Sequence, residues 1–281
     1  SESIASLPIN IVEEFANGEK LRIKSHPLYS LLNYAPNKIM TPFGFFETNL
    51  LSLCLYGNSY SKIIRDGSGR PISLEFLHPS NIEIKSYDGD IYYHRTDTED
   101  EMYLASEIIH FVGLSNDGIH GISPIEKARE NIGLGLAAQK FGARFFNSGG
   151  QPSGSLSTDK TLSAEAVERL RASFNNRYAG VGNTQQTIVL EEGLEFKPIS
   201  IPPDQAQFLA TRTFSIQEIA RIFRVPPHLL ADLTKSSFNN IVEQELEFVT
   251  HTIRPYIVRI EQELERKLLL STERNRFSLK F

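Results

Sequence analysis

Residues 110–121 hold the side-chain types that acid–base catalysis needs, with His110, Ser115, Asp117 and His120 close together in the chain. Two imidazoles and a carboxylate could exchange protons with a substrate beside a serine hydroxyl. The same stretch also fits a strand that ends in a turn at residues 116–118, with His110 as a core histidine. Nucleophile, base and orienting group follow no recognisable order, so the pattern favours the strand and turn and leaves an enzyme as the alternative.

Other motifs that carry chemistry are missing from the sequence. The 281 residues contain no Walker loop, no dinucleotide-binding glycine fingerprint and no helix with two histidines at metal-ligand spacing. The single cysteine, Cys54, excludes an intramolecular disulfide and a thiolate metal cluster. We therefore predict no catalytic residue, no metal and no cofactor.

Charge and hydropathy exclude two further classes of protein. The net charge of −5 gives no polybasic signal for tight nucleic-acid binding, and no apolar run reaches transmembrane length. We expect a globular protein that is made in the cytoplasm and has no membrane partner.

Turn and capping signals predict an α+β protein whose first two hundred residues mix helices and strands. A helix over 42–56 lies between the Thr41-Pro42 cap and Gly57. The other predicted elements are strands at 9–15 and 21–25, hairpins at 59–65/72–77, 82–87/91–95 and 187–191/194–199, a buried strand at 107–114, and helices at 123–146 and 163–178. The boundary with a mostly helical remainder falls at Pro202-Pro203.

Two long helices dominate that remainder, one over 204–223 and one from Asn239 to about Leu270. Apolar residues spaced by three and four follow the second helix along one face: Val242, Leu246, Val249, Ile253, Ile257, Ile260, Leu264 and Leu268. A helix of this length spans roughly 45 Å. A compact monomer of this size cannot easily bury such a rod, so we predict a pillar in an assembly.

Pro255 interrupts the second helix. Proline removes a backbone donor and crowds the preceding turn, so a kink or break near residues 250–255 is expected, either as a simple bend or as a functional hinge. Acidic residues crowd both halves of this helix, at 243, 245 and 247 and at 261, 263 and 265. They form either a solvated face with ion pairs or a surface that must not hold a polyanion tightly, as a DNA conduit requires.

A series of short segments occurs in an order and spacing that is specific as a set. The segments are Pro36-Asn37 with Thr41, Leu55–Tyr60, Leu77–Pro79, Glu107–His110, Asp117–Ile125, Phe145–Gly149 with Pro152–Gly154, Asp204-Gln205, Glu218–Phe223 with Val225–Pro227, and Thr252–Pro255. On these segments the chain resembles the portal proteins of tailed bacteriophages, the head-to-tail connectors, in the lambda-like siphophage branch. The resemblance covers nearly the whole length.

The resemblance implies a portal-protein fold in a ring, most simply a dodecamer, through which double-stranded DNA is pumped into the capsid. By position, residues 1–203 match the wing domain, 204–223 the first stem helix, 224–238 the clip, and 239–281 the second stem helix, the tunnel-loop region and the start of the return to the wing. The family's helical crown would lie beyond Phe281 and is absent from this sequence.

Three groups of site residues follow from this resemblance. The candidates for the DNA channel and tunnel loop are Thr250, His251, Thr252, Arg254, Pro255 and Arg259. The candidates for the clip that docks the packaging motor are Arg224, Val225, Pro226, Pro227, His228, Asp232 and Lys235. The candidates for packing between subunits in the stem are Phe208, Phe214, Ile219, Phe223, Leu246 and Val249.

The implied partners are other copies of the chain, the large terminase subunit, a head–tail adaptor protein, the major capsid or scaffolding protein, and non-specifically bound double-stranded DNA. The implied location is the portal vertex of the virion. A structural neck or capsid protein without DNA contact remains an alternative, as does an enzyme with its site at His110, Asp117 and His120.

Overall fold

The computed structural model describes residues 1–15, 17–98, 101–147, 154–159, 161–178, 190, 193–198, 205–232 and 238–281. Two compact units divide the chain, one formed by Ser1–Arg129 with Ala220–Phe281 and the other by Glu130–Ile219. The predicted α+β fold class is confirmed.

The first unit begins with short elements and one well-capped helix. Its first elements are α1 (Glu2–Ala5), β1 (Asn10–Glu14), β2 (Lys20–Arg22), α2 (Pro27–Asn33) and α3 (Pro42–Tyr56). Helix α3 has the predicted bounds because Thr41 Oγ1 accepts a hydrogen bond from Gly44 N (3.2 Å) at its start, and Gly57 adopts a left-handed conformation at its end. Helix α2 is not among the elements predicted from the sequence.

Six antiparallel strands follow α3 in the first unit. The strands are β3 (Asn58–Arg65), β4 (Pro71–Leu77), β5 (Ile82–Tyr87), β6 (Asp90–Arg95), β7 (Glu101–Leu104) and β8 (Ile108–Val112). They form two sheets with the orders β4-β3-β8 and β5-β6-β7. The hairpins predicted at 59–65/72–77 and 82–87/91–95 are therefore confirmed, whereas strand β7 was not predicted. The buried strand predicted at 107–114 is β8, and four of its five residues are buried.

The second unit contains the middle of the chain. A short helix, α4 (Pro124–Lys127), ends the preceding segment, and Ala128 separates it from α5. The elements that follow are α5 (Arg129–Asn147), β9 (Gly154–Ser157), α6 (Ala164–Tyr178), β10 (Glu195–Pro198) and α7 (Gln205–Phe223), the last continuing past Ile219 into the first unit. The predicted single helix over 123–146 is therefore wrong at its first turn. Strand β10 pairs with β9, whereas its predicted partner at 187–191 lies outside the described residues.

The predicted long helix is divided into three parts. Helix α8 (Phe238–Glu247) is followed by a π-helical segment at Phe248–Ile253 and then by α9 (Arg254–Leu268). Strand β11 (Phe277–Lys280) follows and pairs with β1, which brings the end of this sequence back to its start. The irregularity lies where Pro255 predicted a break.

Helix α9 lies in the core of the first unit. Ile260, Leu264 and Leu268 are at most 1% exposed and pack with residues of α3, β1 and β11. The prediction that one chain cannot bury the apolar stripe is therefore wrong for this half of the helix. The described stripe residues that remain exposed are Val242, Leu246 and Val249, whereas Ile253 and Ile257 pack against the core.

Candidate functional site

His110 is a buried member of the sheet. It is 5% exposed, its Nδ1 lies 3.1 Å from the Tyr93 hydroxyl, and its Nε2 lies 3.0 Å from Asn58 Oδ1. Asn58 Oδ1 also accepts from Gly121 N, so Nε2 carries the proton and Nδ1 accepts from Tyr93. Burial, followed by the nearby charge of Lys267, lowers the pKa of His110 to about 3. The imidazole is therefore neutral at physiological pH, with both nitrogens engaged by the protein.

Asp117 and His120 form an exposed turn. Asp117 Oδ1 accepts from Ile119 N and His120 N at 2.8 Å each, and Asp117 Oδ2 lies 2.7 Å from His120 Nδ1. These bonds, first the one from the His120 amide, lower the pKa of Asp117. Among the described hydrogen bonds, none joins His110 to either residue. Asp117 and His120 therefore pair with each other at the surface, whereas His110 is held by Tyr93 and Asn58.

An open groove of about 890 Å³ lies between residues 35–40 and β4. Ile39, Ile72 and Phe76 contribute to its lining, and none of the histidines or carboxylates of residues 110–121 does. Within the described ranges, no three His, Cys, Asp or Glu side chains come together as a metal site would need. The candidate functional surface is instead formed by the described residues 220–232 and 238–259.

The end of α7 sets the geometry of this surface. Arg224 has a left-handed backbone (φ 52°), Arg224 N donates to Arg221 O (3.2 Å), and Val225 N donates to Ala220 O (2.8 Å). This pair of bonds is a Schellman motif, which reverses the chain after the last helical residue. A non-glycine residue in this conformation costs about 1 kcal/mol, so the surrounding contacts must favour it.

The turn that follows Arg224 lies against α8. Residues Pro227–Leu230 form one 3-10 turn, and His228 Nδ1 lies 2.9 Å from Gln244 Oε1. Leu229 and Leu230 are almost half exposed, whereas Val225 and Pro226 are partly buried. Asp232 N donates to Pro227 O (3.0 Å) and closes the turn. Lys235, which was predicted to belong to the clip, lies outside the described residues.

The π-helical segment and the start of α9 carry the predicted tunnel-loop residues. Thr250, His251, Arg254, Pro255 and Arg259 are exposed. Thr252 differs from them, because it is 8% exposed and its Oγ1 donates to the carbonyl oxygen of Arg224 at 2.6 Å. Pro255 marks this segment in the sequence. A single threonine in a helical pattern gives no signal of a hydrogen bond to a distant carbonyl, so the Thr252 bond was not predicted.

Helix α8 and the start of the π-helical segment present an apolar stripe to solvent. Val242, Leu246 and Val249, which recur at helical spacing, are 67%, 68% and 55% exposed. On α7, which belongs mostly to the second unit, Phe214 is 50% and Ile219 39% exposed. Phe223 is half-buried, and the side chain of Phe208 lies outside the described part of the structure. Large exposed apolar groups in a row mark an interaction surface.

The two acidic groups differ in their surroundings. Glu243, Glu245 and Glu247 on α8 are exposed. On α9, the carboxylates of Glu261, Glu263 and Glu265 accept hydrogen bonds from the backbone amides of Phe281, His110 and Leu279. The predicted ion pairs are present, since Glu263 pairs with Arg266 and Glu261 with Lys280. The prediction of a solvated face or a DNA-facing wall is wrong for Glu261 and Glu263, which are 8% and 9% exposed. These carboxylates bind the exposed edges of β8 and the C-terminal strand, which would otherwise be open to another chain.

A mixed α+β fold with an exposed apolar stripe on one helix is typical of a structural subunit that assembles with other chains. The chain belongs to the phage portal protein family, because the sequence profile of that family matches residues 1–281. It is 33% identical over 274 residues to the portal protein of Enterobacteria phage HK97, and 34% identical over 297 residues to the probable portal protein of Streptomyces phage phiC31. These alignments cover 96% and 99% of this chain but only 64% and 63% of the relatives.

Solved structures share the fold. The crystal structure of an HK97-family phage portal protein from Corynebacterium diphtheriae aligns over 100% of this chain and 88% of its own, with a TM-score of 0.72 and 18% identity. A chain in the neck of an empty GTA particle, computed with C6 symmetry, aligns over 99% of this chain and 77% of its own, with a TM-score of 0.71 and 23% identity. Among the described residues, no helix combines the length and apolar character that a membrane span needs.

Proposed function

We propose that the protein forms a ring-shaped channel at one vertex of a phage capsid, through which double-stranded DNA enters during packaging and leaves during ejection. One observation carries this proposal. The stripe of Val242 and Leu246 on α8 and Val249 just after it is exposed in the single chain. Copies arranged around an axis would bury it, since a closed ring uses the same heterologous contact at every subunit.

The number of subunits is proposed to be twelve. A neck structure of the native GTA particle computed with C12 symmetry contains a chain with a TM-score of 0.65 to this one, over 99% of this chain and 76% of its own. That likeness supports the fold, and the C12 symmetry of that neck supports a twelve-fold ring for a chain of the same fold. We place the assembled protein in the virion, at the portal vertex, after synthesis in the bacterial cytoplasm.

The residues that contact DNA are proposed to be the exposed members of the π-helical segment and the start of α9. His251, Arg254 and Arg259 offer positive or protonatable groups beside the three exposed glutamates of α8. Such a mixed surface binds phosphates briefly and without sequence preference. It neutralises few phosphates at a time, so few counterions are released from the DNA. Thr252 supports this segment from inside, whereas Thr250 and Pro255 lie at its surface.

The turn over 224–232 is proposed to contact the packaging and neck proteins. Leu229 and Leu230 give it an exposed apolar pair, and the Pro226-Pro227 sequence makes it stiff. The proposed partners are the large terminase subunit during packaging and the head–tail adaptor afterwards, with the major capsid or scaffolding protein around the wing. We also propose that the protein is not an enzyme, which the engaged nitrogens of His110 support.

Charge reversal separates this function from that of a neck protein that never contacts DNA. We expect Arg254→Glu to reduce DNA packaging by tenfold or more in an assay with assembled particles, because a fixed negative charge would repel the phosphates. Arg22→Glu, at an exposed arginine on β2, is the matched control and should leave packaging unchanged. If the two variants package equally well, the structural neck protein is the better interpretation.

A further inference from the structure

Helix α9 is fixed to the core of the first unit by three of its carboxylates. Glu263 Oε1 accepts from His110 N at 3.1 Å, Glu265 Oε1 from Leu279 N at 2.8 Å, and Glu261 Oε1 from Phe281 N at 3.0 Å. Its apolar face is buried at the same time. Rotation of α9 about its axis would break all of these contacts, so this helix is the fixed reference for the elements before it.

Helix α8 is held less firmly. Val242 and Leu246 are 67% and 68% exposed, and among the described hydrogen bonds one joins its side chains to the turn, between Gln244 and His228. The π-helical segment, in which Arg254 N donates to Val249 O rather than to the residue four before it, connects α8 to α9. A π-helical turn contains one extra residue compared with an α-helix and is common at functional sites.

The extra residue gives the connection two possible registers. If the segment adopted α-helical spacing while α9 stayed fixed, α8 would shift by one residue, about 1.5 Å along and about 100° around its axis. Residue 245 would then occupy the place that residue 244 has now. The exposed stripe and the exposed residues at 250 and 251 would rotate with the helix.

A single buried hydroxyl opposes this change. Thr252 is the buried residue of the segment, and its Oγ1 donates to the Arg224 carbonyl at 2.6 Å. The left-handed conformation of Arg224 directs the chain so that this carbonyl faces the segment rather than continuing α7. Loss of this bond would leave the Arg224 carbonyl without the partner that it has now, which opposes the change of register.

We propose that Thr252 is a positioning residue that holds the π-helical register and thereby couples the turn at Arg224–Leu230 to the rotation of α8. A displacement of the turn moves the Arg224 carbonyl, which weakens the Thr252 bond and allows the register to change. The functional meaning rests on the proposed roles of the two segments. A protein docked on the turn would change how the DNA-facing residues and the stripe between subunits are presented.

Cross-linking between the turn and α8 tests the register directly. On a Cys54→Ser background of the full-length protein, one variant carries His228→Cys with Gln244→Cys and another carries His228→Cys with Glu245→Cys. Because both variants replace His228, neither has the His228–Gln244 hydrogen bond. A short bis-maleimide should link position 228 preferentially to 244 when Thr252 is present. With Thr252→Val added, we expect the preference to move to 245 by at least fivefold.

Two controls separate positioning from stability. Thr252→Ser keeps the hydroxyl and should preserve the preference for 244, and so should Thr250→Val, which removes an exposed hydroxyl two residues away. A merely structural threonine would lower the unfolding temperature without changing the preferred position. That result, in Thr252→Val or in Thr252→Ala if the valine variant does not fold, would overturn the proposal. The cross-linking measurement requires neither DNA nor a packaging partner. Its outcome therefore does not depend on whether the proposed function is correct.

Discussion

The Glu263 carboxylate accepts a hydrogen bond from the backbone amide of His110 at 3.1 Å, 153 residues earlier in the chain. Glu263 is 9% exposed and also pairs with Arg266 at 2.7 Å. The bond joins α9 to the edge of β8, so the helix that follows the π-helical segment belongs structurally to the sheet region. The exposed and the buried halves of one predicted helix therefore have different roles.

Removal of this carboxylate should destabilise the protein. In Glu263→Ala, the His110 amide loses its acceptor and the buried Lys267 loses its nearest opposite charge. We expect the free energy of unfolding to fall by about 2–4 kcal/mol, measured by urea denaturation. Glu243→Ala, at an exposed glutamate on α8, is the matched control and should change it by less than about 0.5 kcal/mol. Equal effects would show that the carboxylate does not hold the strand.

Stability should depend on pH through His110. Its pKa is about 3 in the folded protein and about 6.5 in an unfolded chain, so the unfolded state takes up the proton first. This contribution is complete above pH 6.5 and is lost as the pH falls from 6.5 toward 3. Between pH 6.5 and 5, where few carboxylates titrate, the loss reaches about 2 kcal/mol.

The check is the slope of the unfolding free energy between those pH values. His110→Gln has no titrating group at this position, so its slope should be smaller than that of the parent protein even though its stability is lower. Equal slopes in the two proteins would mean that His110 can be protonated in the folded state.

Gly121 should not tolerate a side chain. A Cβ at this position would overlap the backbone carbonyl of Gly57, which cannot move aside as the nearby Asn58 side chain could. Gly121→Ala should therefore destabilise the protein by about 3 kcal/mol, as overpacking does. Gly67→Ala, where a Cβ meets nothing within 4 Å, is the control. A drop in the thermal unfolding midpoint for both variants alike would contradict the close approach.

The sequence predicted those parts of the fold that depend on local signals. The Thr41 cap and Gly57 determine α3, and Pro255 marks the irregular segment, because capping and proline effects act within one turn. The surroundings of Glu263 and Thr252 could not be predicted in this way. Their partners, His110 and Arg224, lie 153 and 28 residues away, and only the tertiary fold brings them together.

The same reason explains why the predicted pillar is only partly correct. Helical spacing showed an apolar face from Val242 to Leu268 but could not show which part this chain buries itself. The order of short segments identified the family, whereas the roles of the individual site residues stay predictions. Among them, Leu246 is the most exposed of the proposed stem contacts.

Subunit counting tests the central claim, which is that the exposed stripe of α8 closes a ring. The full-length protein, measured by native mass spectrometry and electron microscopy, should form rings of twelve subunits around an open channel. Leu246→Glu should remain a folded monomer with an unchanged unfolding temperature, whereas Glu247→Gln, beside it on the same helix, should form rings. A parent protein that stays monomeric at every concentration, or a Leu246→Glu variant that forms the same rings, would contradict the account.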